Sequence, residues 1–416
     1  MKFDNSLAFV LELDKQDSIS FMQEKFYFPK RENGEKYIYL CGNSLGLQSK
    51  NTEDFVKQEL EDWKKLGVEG HFHATNPWLP YHEFLSESYS KIVGSKVNEV
   101  VAMNTLSVNL HLMMVSFFRP QKLKNKIIIE SDAFPSDIYA VESHLKHHGL
   151  DPSECLIKLR PRTGEFALRT EDILTEIRNN GDNVALLMLG GVNYYTGQAF
   201  EMDKITKEAH KHNIFVGFDL AHAIGNIHLS LHDWGVDFAV WCSYKYLNSG
   251  PGSVAGVFVH EKHHDKDLQR FAGWWGHDKE SRFKMPDEFA PIKTAEGWQL
   301  SNPPILSLAA VRASLSIFDE VGMPSLIAKS KKLTSYLVFL LNQIKTDRIN
   351  IITPEQRGCQ ISLSVKDGNK NLFDQITSKG VIADWREPDV IRVAPVPLYN
   401  SFLDVFNFYK ILEDII

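Results

Sequence analysis

The chain has 416 residues, of which 43% are hydrophobic and 24% charged, and a net charge of −7. Such a length holds two or three domains rather than one core, and the acidic balance argues against nucleic acid as a partner. No apolar run approaches 18 residues, so neither a membrane span nor a membrane partner is expected.

The first residues, Met1-Lys2-Phe3-Asp4-Asn5, bring in an acid early and have no apolar leader core, so no secretory signal is read. Residues 7–27 are amphipathic and read as helix. Residues 37–41 alternate like a strand and run into a glycine-bounded loop, Gly42-Asn43-Ser44-Leu45-Gly46. Helical spacing returns over 52–66, with Phe55, Leu60 and Trp63 as its apolar face. From Val100 the pattern becomes strand, loop, helix, repeated. Strands are predicted at 127–129, 184–189, 214–218, 238–242 and 256–259, and helices at 108–118 and 202–212, among others. Unalternated apolar strands separated by helices mean a largely parallel sheet buried on both faces, an α/β architecture. Near Ser301-Asn302-Pro303-Pro304 the pattern changes. A long helix over 305–321 leads into a final unit that includes strands at 360–365 and 389–393. The expected organisation is a large α/β domain (66–305) and a smaller α+β domain (306–416) to which the N-terminal segment (1–65) contributes. The four cysteines, at 41, 155, 242 and 359, lack paired or zinc spacing, so reduced thiols and a cytoplasmic location are expected.

The residues that carry chemistry stand at the ends of these strands. Asp219 closes the run 214–218 and His222 follows it, while Lys245 follows the run 238–242 in Ser243-Tyr244-Lys245-Tyr246. A strand-end acid and a lysine after a later strand fit pyridoxal phosphate. That cofactor needs a lysine for its Schiff base and a carboxylate that keeps the pyridine nitrogen protonated. Ligands of open α/β sheets bind beyond the carboxyl ends of the strands. Phe134-Pro135-Ser136-Asp137, after the first of these strands, falls there too, with Phe134 the candidate face over the ring. Asn104-Thr105-Leu106-Ser107 precedes an apolar helix and suits phosphate, through backbone amides and the Ser107 hydroxyl. Tyr244 and Trp274 are further phosphate donors. Arg392, a charge inside the apolar run 390–394, offers the planar fork that grips a carboxylate in two bonds, with a structural ion pair as the competing reading. The cluster His144, His147 and His148 has no acidic ligand pattern beside it, and no metal site is expected.

Several longer blocks resemble one family, kynureninase. They are Cys41-Gly-Asn-Ser-Leu-Gly-Leu-Gln48, Phe134-Pro-Ser-Asp137, Val216-Gly-Phe-Asp-Leu-Ala-His222, Trp241-Cys-Ser-Tyr-Lys-Tyr-Leu-Asn248, Ser301-Asn-Pro-Pro-Ile-Leu306 and Arg392-Val-Ala-Pro-Val-Pro-Leu-Tyr-Asn400. The similarity runs from about residue 37 to the C-terminus. It implies the aminotransferase-like fold type I, a homodimer with shared active sites, and hydrolysis of the amino acid L-kynurenine, or its 3-hydroxy form, to anthranilate, or 3-hydroxyanthranilate, and L-alanine, a step of tryptophan breakdown. It further implies that Lys245 carries the Schiff base and then moves the α-proton, that Asp219 pairs the ring nitrogen, and that Tyr244 transfers a proton or only binds phosphate. Leu106, Ser107, Phe134, Pro135, Ser136, Asp137, His222, Tyr244, Trp274 and Asn302 are implied at the cofactor, some across the dimer interface. His71, Asn302 and Arg392 are implied at the substrate. The chain departs from several relatives at Gly190, where they carry a hydroxyl side chain. Two rivals remain: a cysteine desulfurase on the same fold, which needs Cys359 as a mobile nucleophile, and an inactive scaffold, against which the joint presence of Lys245, Asp219, His222 and Arg392 speaks.

Overall fold

The computed structural model describes residues 2–416. In chain order its strands are β1 (Ile38–Tyr39), β2 (Val100–Ala102), β3 (Lys126–Glu130), β4 (Leu156–Leu159), β5 (Val184–Gly190), β6 (Phe215–Asp219), β7 (Phe238–Trp241) and β8 (Gly256–Val259). They continue with β9 (Ile349–Ile351), β10 (Ile361–Val365), β11 (Val381–Ile382), β12 (Asp384–Arg386) and β13 (Val390–Val393). Seven of them form the main sheet, ordered β2-β8-β7-β6-β5-β3-β4. The links from β4 through β3, β5 and β6 to β7 are parallel, and β8 and β2 close one edge antiparallel. β6, β7 and β8 are buried almost throughout, as the unalternated apolar runs require of a sheet covered on both faces.

A second sheet, β12-β13-β10-β9, is antiparallel. Helices Met323–Leu341 and Phe402–Ile415 pack into one core with it, and the N-terminal helix Leu7–Lys15 adds Val10 and Leu13 to that core. Asp14 fixes the association by accepting the amides of Phe402 (2.7 Å) and Leu403 (3.0 Å), which satisfies free donors at the start of the last helix. β1 pairs with β11 in parallel, so the chain ahead of the main sheet is joined to the C-terminal unit twice.

The structure corrects several expectations. Residues 7–27 are not one helix. The helix ends at Lys15, and a 3-10 turn occupies Ser20–Lys25, because the Asp17 carboxylate takes the amide of Ile19 and turns the chain. The strand expected over 37–41 is only two residues long. Helix Thr52–Leu66 has the expected bounds but not the expected face: Leu60 and Trp63 are exposed, and Glu59 and Asp62 are buried. Glu59 accepts from Trp78 Nε1 (2.9 Å), Tyr81 Oη (3.0 Å) and Asn76 Nδ2 (3.0 Å), and Asp62 takes the amide of Thr75 (2.9 Å). Hydrogen bonds, not apolar spacing, decide how this helix turns. The helix expected over 108–118 spans Leu106–Phe117, so Leu106 and Ser107 lie in its first turn. Asn104, in the left-handed region at φ 50°, turns the chain into it.

The glycine-bounded loop ties the two parts together. The amide of Gly46 donates to the carbonyl of Tyr244 (2.8 Å), and a Cβ at 46 would stand 2.4 Å from the carbonyl oxygen of Lys245. A Cβ at Gly42 would meet the Tyr399 hydroxyl at 2.2 Å. Neither close approach tolerates a side chain, and the first abuts backbone, which cannot swing away. Gly46→Ala is therefore expected to cost about 1–3 kcal/mol of stability, the usual range for overpacking, with weaker cofactor retention. Denaturant unfolding and the visible absorption of the purified protein measure the two effects.

Candidate active site

The carboxyl ends of β3, β5, β6 and β7 lie side by side, and each delivers a residue to one cavity. Glu130 ends β3, Gly190 ends β5, Asp219 ends β6, and Lys245 stands in the turn after β7. After β3 the chain steps outward to β4 and then crosses to the other side of β3 for β5. The sheet order therefore reverses between β3 and β5, the place where open α/β sheets bind ligands. The cavity is lined by Leu106, Ser107, Phe134, Ser136, Asp137, His222 and Tyr244 besides the strand ends, with Val192, Tyr194 and Ala221 completing it.

Lys245 is held in a tight turn. Its carbonyl accepts from the amide of Asn248 (3.0 Å), which sits at φ 57°, and the preceding Ser243 hydroxyl meets the Tyr89 hydroxyl at 2.9 Å. The amine reaches His222 Nε2 at 3.0 Å and lies 5.7 Å from the Phe134 ring centre and 6.0 Å from that of Tyr244. Burial, with the charges of Lys245, Arg392 and Arg386 adding, holds the His222 imidazole far below its usual range. It is therefore neutral and accepts a hydrogen bond from the lysine.

Two carboxyl groups oppose that lysine. Burial raises Asp219 on balance, although interaction with Asp137, the charge of Lys245 and the Ala221 amide (2.7 Å) pull it down and leave it below Asp137. Burial raises Asp137 strongly, and the neighbouring Asp219 and Glu130 charges raise it further. Of this pair Asp137 keeps the proton and Asp219 the charge. Asp137 Oδ1 and His222 Nδ1 are both buried without a partner. At the other end, Ser107 and Ser136, in the first turns of helices Leu106–Phe117 and Pro135–His147, meet through their hydroxyls at 2.9 Å. Helix starts and hydroxyls favour an anion there, and the buried acids favour a protonated ring nitrogen. Pyridoxal phosphate, with an anion at one end and a basic nitrogen at the other, fits this donor set. Phe134, at the mouth beside the lysine, offers the ring a face.

Of the residues expected at the cofactor, Pro135 opens its helix and does not line the cavity. Trp274 lies outside it, with Nε1 donating to the Arg282 carbonyl (3.1 Å), and Asn302 is exposed. His71 also lies outside, its Nδ1 against the Val68 carbonyl (2.9 Å) and its ring edge-on to Trp78. Arg392 is 1% exposed, binds the Asp384 carboxylate through Nη2 and the Tyr194 carbonyl through Nη1 (2.6 Å), and leaves Nε without a partner. The structural ion pair therefore exists, and Arg392 does not line the cavity. Cys359 is wholly buried and burial pushes its thiol up to about 12, the reverse of what a mobile nucleophile requires. Glu130 and Tyr194 escaped the sequence reading. Glu130 carried the same signal as Asp219, an acid closing an apolar strand.

Residues 326–412 match the model of the kynureninase C-terminal domain. A kynureninase of Myxococcus xanthus is 56% identical, covering 99% of this chain and 97% of its own. One of Koribacter versatilis is 53% identical over 98% of this chain and 97% of its own. Among solved structures, a cysteine desulfurase of Thermococcus onnurineus superposes with a TM-score of 0.76 at 16% identity, covering 91% of this chain and 94% of its own. A cystine C–S lyase in complex with cysteine persulfide gives 0.77 at 14%, covering 91% and 97%. At such identities these structures share the fold alone, that of the pyridoxal-phosphate enzymes of fold type I, whereas the sequence relatives match along the whole length: the chain belongs to the kynureninase family.

Proposed function

We propose that this protein hydrolyses L-kynurenine, or its 3-hydroxy form, across the Cβ–Cγ bond to anthranilate, or 3-hydroxyanthranilate, and L-alanine. The observation that carries this reading is the gathering of Lys245, Asp219, His222 and Phe134 around one cavity in a chain of this family. When bound, the cofactor supplies an aldehyde that condenses with an amino group and a ring that takes up an electron pair. The chain's residues do the rest. Lys245, freed as an amine, moves the proton at the substrate's α-carbon. Asp219 holds the proton on the ring nitrogen, and Asp137, itself protonated, supports it. Tyr244, beside the lysine and raised by burial, remains a phenol able to give a proton at the γ-carbonyl oxygen or the β-carbon. Phe134 and Tyr194, packed edge to face (5.2 Å), narrow the mouth, and the one water that the cleavage consumes adds at the substrate's γ-carbonyl carbon.

The active unit is a homodimer on this reading. Trp274, Asn302 and His71 stand outside the cavity of their own chain, where residues delivered to a second copy belong. Leu60, Trp63, Val68, Phe72 and Phe84 expose large apolar groups that a partner would cover. The chain divides into a cofactor domain (66–305) and a smaller domain (306–416) completed by residues 1–65. Among the described residues no helix is long and apolar enough to cross a membrane, and the four cysteines are free. We assign the protein to the cytoplasm on its unpaired thiols.

Lys245→Ala is expected to lose the visible absorption that borohydride abolishes in the wild-type protein. An unchanged borohydride-sensitive spectrum removes the lysine from its role. Mixing inactive Lys245→Ala chains with inactive Asn302→Ala chains should restore part of the activity; failure in mixed dimers shown to form refutes shared sites. Arg392 is assigned to the substrate carboxylate and His71 to the aromatic end. Arg392→Lys should weaken both substrates alike, through KM and kcat, because the charge stays but the fork is lost. His71→Ala should change the ratio of kcat/KM between kynurenine and its 3-hydroxy form by about threefold to tenfold, the worth of one neutral hydrogen bond. Steady-state kinetics on both substrates with product identification measures this, and a ratio moved by Arg392→Lys alone reverses the assignment.

A further inference from the structure

Gly190 and Glu130 fill one space between them. A Cβ at 190 would stand 2.9 Å from Glu130 Oε1, and that oxygen accepts the Gly190 amide at 3.2 Å. The other oxygen accepts Asn193 Nδ2 at 2.9 Å. Asn193 is itself fixed, its Oδ1 taken by the amides of Tyr195 (3.0 Å) and Thr196 (2.9 Å). Glu130 is buried, yet it lines the cofactor cavity on one side and a second, wider cleft on the other. Tyr194 is the one other residue that lines both. The pair stands between β3 and β5, where the sheet order reverses.

Both carboxyl oxygens accept from donors, a task that the single oxygen of an amide would meet only in part. The charged groups around it are Asp132 on its own loop, Asp219 at the end of β6 and Asp137 on the helix Pro135–His147. Lys245 faces the same cavity from the turn after β7, with His222 and Tyr244 beside it, and Tyr194 closes it from the loop after β5. The leading influences on Glu130 include no cation, and burial pushes its carboxyl up to about 7. It is therefore neutral in mild acid and ionised above about pH 7.

We propose that Glu130 is a further positioning residue of the reaction: its carboxyl group, seated in the space that glycine at 190 leaves open, sets the charge felt by the Asp219–Asp137 pair and by Lys245. The inference rests on the cofactor reading of the cavity. The sign follows from Coulomb's law. An ionised Glu130 adds a negative charge near the lysine, so it strengthens proton binding by a nitrogen there and keeps Asp137 protonated. Ionisation of Glu130 with rising pH thus offsets the tendency of the site to lose its protons.

The test is a pH titration of the visible band of the pyridoxal-phosphate-loaded protein, on the wild type, Glu130→Gln, Gly190→Ala and the double variant. Glu130→Gln removes the charge. Gly190→Ala keeps the acid but forces its oxygen away from the 190 amide. Both should lower the midpoint of the band, Glu130→Gln by about half to one pH unit, typical of losing one nearby charge. The double variant should lie no lower than Glu130→Gln alone. Thermal unfolding of the loaded proteins identifies any variant that has not folded, and the remaining one then decides. A folded variant whose midpoint matches the wild type overturns the role of Glu130. A wild-type protein that forms no band with pyridoxal phosphate instead overturns the cofactor reading.

Discussion

Three buried carboxyl groups and one lysine line a single cavity, and like charges so placed cannot all be ionised. Two unit charges 4 Å apart interact by about 4 kcal/mol at the effective dielectric of a protein site. The molecule meets this constraint by dividing the protons. Asp137 carries one, Asp219 keeps the charge with an amide and the lysine's field to support it, and Glu130 changes state near neutrality. A cationic group bound beside Asp219 would relieve the remaining excess of negative charge.

This distribution depends on where the strands end. Parallel strands β3, β5, β6 and β7 end in one row, with Glu130 and Asp219 closing β3 and β6 and Lys245 in the turn after β7. Packing supplies the precision: the strands are buried on both faces and cannot shift without disturbing two layers of side chains. Small residues then allow close approach, Gly190 to the Glu130 carboxylate and Gly46 to the lysine turn. Polar groups are anchored from outside the cavity, as Asn193 anchors Glu130 and Tyr89 anchors Ser243.

Much of this was legible in the chain. The apolar runs ending in Asp219 and leading to Lys245 state the sheet, because a strand buried on both faces has to be apolar, and they mark the strand ends where the cavity lies. Phe134 and Asp137 were legible for the same reason. Helix Thr52–Leu66 was misread on its buried face, since Glu59 and Asp62 are held inside by donors on residues 75–81 that periodicity does not reveal. β4 and the short strands β9 and β12 were missed because they are partly exposed and lack a continuous apolar run. Glu130 was passed over although it closes β3 as Asp219 closes β6, and only the fold reveals that it fills the space that glycine leaves at 190.

The loop between Gly42 and Gly46 bears on how the protein comes into being. It touches the lysine turn through Gly46 and Tyr399 through Gly42, so its place is defined only when residues from the beginning, middle and end of the chain are all present. Contacts between residues far apart in sequence close large loops and form slowly. During synthesis the lysine leaves the ribosome well before Tyr399 does, and its turn lacks its final support until the last helix has docked. The finished geometry of the lysine turn thus belongs to a late stage of folding, once these distant segments have met.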